Sequence, residues 1–188
     1  MRKEGKLFVI SGPSGVGKDT VISHLLKKND NVSLSISCTT RAPRGEEKDG
    51  VDYYFKTQEA FEQMIEEDGF LEYAKIFDCY YGTPAEVVRE KLMQGRDVIL
   101  EIDVQGAINV RKKVPGAVLI FIAPPSMEVL HARLEGRGTE TKEQVEKRFA
   151  RAASEMKLAD KYNYQVINDD LKTAVDELDD IIKKEHNK

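Results

Sequence analysis

Residues 12–18, GPSGVGK, lie between a short apolar segment and a pattern typical of a helix. They fit the start of the phosphate-binding pattern G-x-x-x-x-G-K-[ST]. Glycines let such a loop point backbone N–H groups at phosphates, and the N-terminus of the following helix adds positive potential. Lys18 would supply a charge for the β- and γ-phosphates of a nucleoside triphosphate. A glycine-rich turn that only joins strand to helix is the alternative, and the strand–loop–helix context favours phosphate binding.

The position after the lysine departs from this pattern. The pattern requires Ser or Thr, whose hydroxyl ligates Mg²⁺, whereas this chain has Asp19 followed by Thr20. A carboxylate suits the first turn of a helix, and Asp19 could hold Mg²⁺ directly or through water. Phosphate binding is predicted regardless of how the metal is held.

A second acid-bearing segment is 98–103, VILEID, an apolar run that ends in acids. Its carboxylates could orient Mg²⁺ or meet the edge of a substrate. Residues 103–106 also match the D-x-x-G motif of GTPases. A GTPase would further need N-K-x-D to read guanine, and the chain has no Asn-Lys pair with that spacing. The D-x-x-G match is therefore interpreted as accidental.

Basic residues converge in the loop that contains Arg41 and Arg44. Two guanidinium groups that flank a turn can grip a monophosphate in bidentate fashion. Tyr53 and Tyr81 lie in short predicted strands and could donate hydroxyl groups to the same phosphate. Spacing alone does not distinguish this clamp from a solvated basic loop with core tyrosines.

The segments that must position these residues alternate between apolar strands and helices, which predicts a three-layer α/β fold with a mainly parallel central sheet. Strands are expected at 6–11, 32–38, 98–103, 118–123 and 164–167, and helices from Lys18 and at 104–113, 126–135 and 171–184. Thr83, Pro84 and Glu86 predict a capping box for a helix that ends near Gln94, and Thr141 with Gln144 predicts another.

The stretch from 41 to 81 interrupts this alternation, because it is rich in tyrosines and short strands. It is interpreted as an inserted lobe that also contains a strand at 51–55, and a second insertion at 137–148 is interpreted as a lid. We therefore expect one domain, with a core at 1–36 and 84–188, a lobe at 37–83 and a lid at 136–150.

Composition limits the classes of partner. The net charge is −4, from 29 Lys and Arg against 33 Asp and Glu, which disfavours an extended nucleic-acid surface. No apolar run approaches the ~20 residues that span a bilayer, and the amino terminus lacks a signal-peptide pattern. Cys38 and Cys79 offer no disulfide framework, which fits a reducing compartment. The cytoplasm is the expected location, without nucleic-acid or membrane partners.

Five segments resemble the guanylate kinase family in their order and spacing, and they are SGPSGVGK, SCTTRAPRGEEKDGVDYYF, FLEYAKIFDCYYGTP, EIDVQG and LEGRGTET. The resemblance extends from Leu7 to the final helix. It implies a P-loop nucleoside monophosphate kinase fold with an inserted GMP-binding lobe and a lid. It also implies transfer of the γ-phosphoryl group of ATP to GMP with Mg²⁺, giving ADP and GDP, in purine nucleotide metabolism.

The motifs and the resemblance together assign the individual roles. ATP is expected to contact Gly12, Pro13, Ser14, Gly15, Val16, Gly17, Lys18, Asp19, Thr20, Asn168 and Asp169. GMP is expected to contact Ser37, Arg41, Arg44, Tyr53, Glu72, Tyr81, Gly82, Thr83 and Asp103. The resemblance implies that the guanine-reading residues among them are Ser37, Glu72, Thr83 and Asp103. Catalysis is expected of Lys18, Arg41, Arg137 and Arg148, with Arg133 as a third lid arginine. The implied role of Glu72 is chemically sound, because guanine presents two adjacent donors, N1–H and the 2-amino group, that one carboxylate can accept.

Two other function classes are weighed. Guanylate-kinase-like domains also serve as noncatalytic peptide-binding scaffolds, but such domains typically lose phosphate-loop or lid residues. This chain keeps Lys18, Arg41, Arg44, Arg137 and Arg148. A kinase for another small acceptor is disfavoured by the guanine-reading set, although the choice between GMP and dGMP stays open. ATP and GMP are the expected partners, and no obligatory protein partner is expected.

Overall fold

The computed structural model describes residues 3–76, 78–136 and 141–188. Within these ranges the chain forms, in order, β1 Leu7–Ser11, α1 Lys18–Lys28, β2 Val32–Leu34, β3 Cys38–Thr39, β4 Tyr54–Phe55, α2 Gln58–Glu66, β5 Phe70–Ile76, β6 Cys79–Pro84, α3 Ala85–Met93, β7 Asp97–Glu101, α4 Val104–Lys113, β8 Val118–Ala123, α5 Met127–Glu135, α6 Lys142–Met156, β9 Tyr164–Ile167 and α7 Leu171–His186. A short 3₁₀ turn, Ala159–Lys161, precedes β9.

The central sheet has the order β2-β7-β1-β8-β9, and every pairing in it is parallel. Strand β1 alternates between its faces: Phe8 and Ile10 pack with α1, α5, α6 and α7, whereas Leu7 and Val9 pack with α3 and α4. Helices on both faces bury β1 and β8 completely, which explains the uniformly apolar sequence of β8. The predicted three-layer α/β fold is confirmed.

A second, mixed sheet has the order β4-β3-β6-β5 and lies within the stretch expected to form the inserted lobe. It has its own small core, in which the Phe61 ring of α2 stacks on Phe70 and Tyr80 at centroid distances of 4.3 and 5.1 Å. Cys38 is buried in the same cluster, and burial raises the pKa of its thiol to about 11. Its thiol therefore stays protonated near neutral pH and packs as a small apolar group.

The sequence predicts one strand over 32–38, and this prediction is wrong. Val32–Leu34 pairs with β7 in the central sheet, whereas Cys38–Thr39 pairs with β4 and β6 in the second sheet. The chain changes sheets between these two strands. Alternating side chains cannot reveal such a change, because the period of two continues whichever sheet supplies the hydrogen bonds. The strand predicted at 51–55 is also shorter, because β4 spans only Tyr54–Phe55.

The capping box predicted at Thr83 is wrong as well. Helix α3 begins at Ala85 with Pro84 as its N-cap, and no side chain caps it. Thr83 still belongs to β6, where it pairs with Glu72 of β5. The box predicted at Thr141 and Gln144 is confirmed, with both reciprocal hydrogen bonds present. Across the described ranges, no helix combines the length and the apolar character needed to cross a bilayer.

Candidate active site

The glycine loop 12–17 joins the end of β1 to the start of α1, as its sequence predicts. Gly17 is the N-cap of α1 and has φ 86°, a left-handed conformation that favours glycine. A Cβ at Gly12 would lie 2.3 Å from the carbonyl oxygen of Ile122 on β8, so the loop start fits closely against the neighbouring strand. These glycines allow the backbone to curl over the N-terminus of α1, where N–H groups attract anions.

Two side chains from distant parts of the chain brace this loop. The buried Asn168, just after β9, donates its amide to the Val16 carbonyl at 2.8 Å. Arg133 of α5 donates both terminal nitrogens to the Asn168 carbonyl at 3.0 Å and one to the Val16 carbonyl at 3.4 Å. The sequence analysis assigned Asn168 to ATP binding and Arg133 to the lid. In this structure both hold the backbone of the phosphate loop, whereas Asp169 is exposed beside it.

A cavity of about 370 Å³ opens over the loop, and its lining includes Lys18, Asp19, Thr20 and Glu101. The ammonium of Lys18 lies 3.4 Å from the carboxylate of Glu101. Burial raises the pKa of Glu101, the carboxyl group of Asp19 raises it further, and Lys18 opposes the shift. The sequence marked Glu101 only as one of the acids that end a strand. Its place beside Lys18 follows from β7 lying next to β1 in the sheet.

The predicted arginine–tyrosine clamp is assembled in the second sheet. The Arg41 guanidinium carbon lies 5.3 Å from the centroid of the Tyr53 ring, and the guanidinium also interacts with the Tyr81 hydroxyl. The Tyr53 and Tyr81 rings meet edge to face at 6.2 Å. Arg44 is exposed in the adjoining turn. The structure therefore brings Arg41 and both tyrosines together, with Arg44 at their edge.

Sequence reasoning missed Glu47, which joins the two arginines. Its carboxylate accepts two hydrogen bonds of 3.0 Å from Arg41 and one of 2.8 Å from the backbone N–H of Arg44. This contact with Arg41 is the main reason why the pKa of Glu47 lies below its ordinary value. The sequence feature that could have identified Glu47 is an acidic residue in the same loop as the two arginines.

Three of the four predicted guanine-reading residues, Glu72, Thr83 and Asp103, meet where β5, β6 and α4 converge. The Thr83 hydroxyl donates to the Glu72 carboxylate at 2.7 Å. Burial is the main reason why the pKa of Glu72 is raised; Thr83 opposes the shift and the nearby Asp103 adds to it. A Cβ at Gly106 would lie 3.3 Å from oxygens of both Glu72 and Asp103, so the two carboxylates flank this glycine. Ser37 lies half-buried at the approach to β3, and Gly82 packs closely on Phe70 beneath the group.

Asp103 belongs to both ends of the site. It is the N-cap of α4, where its carboxylate accepts the N–H of Gly106 at 2.8 Å. It also lines the cavity over the phosphate loop. Arg151 of α6 lies beside it, with Nη2 at 3.5 Å from the carboxylate. The predicted guanine-reading residues and the phosphate cavity therefore adjoin, as transfer between two bound nucleotides would require.

Helix α6 contacts the phosphate loop and lines the cavity with Arg151 and Glu155. Arg148 donates to the Ser14 hydroxyl at 3.5 Å, which places one predicted lid arginine against the loop. Arg137, the other, lies outside the described residues. The site therefore combines the glycine loop and Lys18 with the arginine–tyrosine clamp and the carboxylates of Glu72 and Asp103. Such a site can hold two phosphorylated ligands end to end.

Comparisons with known proteins identify the family to which the chain is similar. Residues 4–185 match the protein-family model described as guanylate kinase. The chain is 54% identical over 182 residues to a guanylate kinase of Caldanaerobacter subterraneus subsp. tengcongensis, covering 97% of this chain and 88% of that protein. It is 50% identical over 186 residues to one of Clostridioides difficile, covering 99% and 91%. A crystal structure of guanylate kinase from Anaplasma phagocytophilum superposes with a TM-score of 0.76 at 34% identity, covering 100% and 89%.

Proposed function

The chain belongs to the guanylate kinase family and is an ATP:GMP phosphotransferase, and we propose that the residues described above bind ATP and GMP and transfer the phosphoryl group directly. The observation that carries this assignment of residues is the position of Asp103. It lines the phosphate-loop cavity and also lies beside Glu72. ATP bound at the loop and GMP held by Glu72 would therefore lie next to each other, with Asp103 between them.

On the donor side, the loop 12–17 would bind the phosphates of ATP through its backbone N–H groups, and Lys18 would contact the β- and γ-phosphates. Asn168 and Arg133 support this role indirectly, because their hydrogen bonds to Val16 fix the loop backbone. A loop that is already in its binding conformation loses less entropy when the ligand arrives.

On the acceptor side, Arg41, Arg44, Tyr53 and Tyr81 would hold the phosphate of GMP, since guanidinium groups bind phosphate in bidentate fashion. Glu72 would accept the N1–H and 2-amino groups of guanine. The hydroxyl of Thr83 fixes the orientation of the Glu72 carboxylate in advance. Adenine presents no such pair of donors, so AMP would leave this buried carboxylate unpaired, which is the strongest form of discrimination against an analogue.

In the transfer itself, a phosphate oxygen of GMP attacks the γ-phosphorus of ATP while the bond to the β-phosphate breaks, giving GDP and ADP. Charge spreads over the equatorial oxygens of the transferring group, so that positioned cations stabilise the transition state. Lys18 and Arg148 would supply two of these cations, and Arg137 a third. Segment 136–150 would act as the lid that excludes water, which would otherwise intercept the phosphoryl group.

Magnesium is the ion that this family's reaction implies, and the residues present fit it. Asp19 and Glu101 place two carboxylates in the phosphate cavity, and the effect of Asp19 on the pKa of Glu101 means that they are close together. Mg²⁺ is commonly held by one or two carboxylates together with substrate phosphates and water. Asp19 would hold the ion directly or through water, with Glu101 beside it. When bound, the ion would neutralise charge on the β- and γ-phosphates.

One assay tests this proposal. Purified protein with Mg²⁺ and ATP is given GMP, dGMP, AMP, UMP and CMP in parallel, and ADP formation is followed by a coupled reaction. GMP should be used far better than AMP, UMP or CMP, and the GMP/dGMP ratio shows whether the ribose is read. Failure to form GDP under these conditions would overturn the proposal. We place the reaction in the cytoplasm, which the two free cysteines support.

A further inference from the structure

Glu47 is tied to the acceptor clamp by several hydrogen bonds. Its carboxylate receives Nη1 and Nη2 of Arg41 and the backbone N–H of Arg44. Its own backbone N–H also donates to the Arg44 carbonyl at 3.1 Å. Glu47 and Arg44 therefore close a turn from both directions, and the carboxylate is part of that turn.

These contacts fix the orientation of the Arg41 guanidinium. An arginine carries five N–H donors in one plane. Nη1 donates to the Ala42 carbonyl at 2.8 Å and to Glu47, and Nη2 gives one donor to Glu47. The two bonds to Glu47 occupy the Nη1–Nη2 edge of the plane, and the guanidinium carbon lies 5.3 Å from the centroid of the Tyr53 ring. The adjacent edge, formed by Nε–H and the second Nη2–H, is also a bidentate fork. The Tyr81 hydroxyl, another proposed phosphate ligand of the clamp, interacts with the same guanidinium.

We propose that Glu47 is a positioning residue for GMP, which holds Arg41 by one edge so that its Nε–Nη2 edge is presented to the acceptor phosphate. The inference rests on the proposed function of the clamp. Glu47 would continue to position Arg41 when substrate is bound, because the Glu47 carboxylate is part of the Arg44–Glu47 turn. Long arginine side chains otherwise sample many rotamers, and holding one of them in advance reduces the entropy lost on binding.

The alternative is that Glu47 occupies the place of the phosphate and competes with it. A carboxylate that binds a guanidinium through both oxygens does resemble a phosphate. The two roles predict opposite changes in the KM for GMP when Glu47 is replaced. Removing a competitor would lower the KM for GMP, whereas removing a positioning group would raise it.

The test is steady-state kinetics of Glu47→Gln, with the neighbouring exposed Glu46→Gln as a matched control. A glutamine amide in place of this carboxylate can accept only one of the two hydrogen bonds from Arg41, and it places an N–H group against the other donor. Loss of a charged hydrogen bond should raise the KM for GMP by about 10- to 100-fold. The KM for ATP should stay unchanged, as should both KM values of Glu46→Gln. A lower KM for GMP in Glu47→Gln would overturn the proposal.

A double-mutant cycle with Arg41→Met separates positioning from general loss of structure. Arg41→Met alone should raise the KM for GMP far more than the KM for ATP. In that background Glu47→Gln should have little further effect, because the side chain on which it acts is gone. Fully additive effects, or equal losses for both substrates with a lower Tm, would contradict the positioning role. Failure of the wild-type protein to form GDP would instead refute the proposed function, so the two failures are distinguishable.

Discussion

The hydroxyl of Thr83 donates a 2.7 Å hydrogen bond to the carboxylate of Glu72 across the antiparallel pair of β5 and β6. This bond occupies one oxygen, Oε1, and fixes the plane of the carboxylate. The other oxygen, Oε2, lies beside Gly106 of α4, next to Asp103. The acceptor that would read guanine is therefore oriented by a strand neighbour before any ligand binds.

Glu72→Gln should weaken the use of GMP by about 10²-fold in kcat/KM, because an amide presents a donor where guanine also presents one. The KM for ATP should change little. The exposed Glu66→Gln, on the neighbouring helix α2, is the control and should retain wild-type kinetics. Unchanged GMP kinetics in Glu72→Gln would remove this residue from the site.

The raised pKa of Glu72 predicts a dependence on pH. In the proposed site guanine binds the ionised carboxylate, so a proton on Glu72 would compete with GMP. As pH falls through the raised pKa, kcat/KM for GMP should decline, and this should occur at a higher pH than for an ordinary glutamate. Comparing pH profiles of the wild type and Glu72→Gln isolates the contribution of this carboxyl group, because titration of the GMP phosphate is common to both. Profiles of identical shape would contradict the assignment.

The raised pKa of Glu72 also affects the stability of the folded protein. Because burial raises the pKa of Glu72 in the folded state, the folded protein binds this proton more tightly than the unfolded chain. The ionised carboxyl group therefore opposes folding at neutral pH, and this cost disappears as pH falls through the raised pKa. Glu72→Gln should keep a Tm at pH 7 no lower than that of the wild type, measured by circular dichroism. A clear loss of Tm would mean that Glu72 has a structural role.

Lys18→Ala should lower kcat by at least about 10²-fold, because it removes a positioned cation from the transferring phosphates. Its side chain is only 19% exposed in the phosphate cavity, with Nζ 3.4 Å from Glu101. Lys27→Ala, in the exposed last turn of the same helix, is the matched control and should have normal activity. The far-UV spectrum of both variants should match the wild type. Near-normal turnover of Lys18→Ala would refute the predicted role.

Arg148→Met should lower kcat by about 10²-fold while the KM for GMP changes little, since a lid arginine acts mainly on the transition state. The contact of Arg148 with Ser14 of the loop supports this expectation. Lys147→Met, one residue earlier and exposed to solvent, should have wild-type kcat. A rise in KM without a change in kcat would instead assign Arg148 to ground-state binding.

Local patterns predicted most elements well. Strand β8 and helix α4 have the predicted bounds, because a buried apolar run and a helical repeat are each defined by consecutive residues. The capping box at Thr141 is equally local. The same logic failed at Thr83, where the motif was present but the hydroxyl was engaged by Glu72 on another strand. A capping motif shows which hydrogen bonds a side chain could make, whereas its neighbours in the folded protein determine which hydrogen bond it makes.

The sequence alone determined the chemistry available to this protein: a glycine loop with Lys18, two arginines in a turn and acids at the end of a strand. These signals depend only on residue type and short spacing, so they can be recognised without knowing which residues are in contact. Only the tertiary structure decided which of these groups meet. It placed Glu101 beside Lys18, Glu47 on Arg41, and Asp103 between the two halves of the site. Such pairings depend on strand order and on how the chain turns, and a hydrogen bond between distant residues leaves no periodic trace in a single sequence.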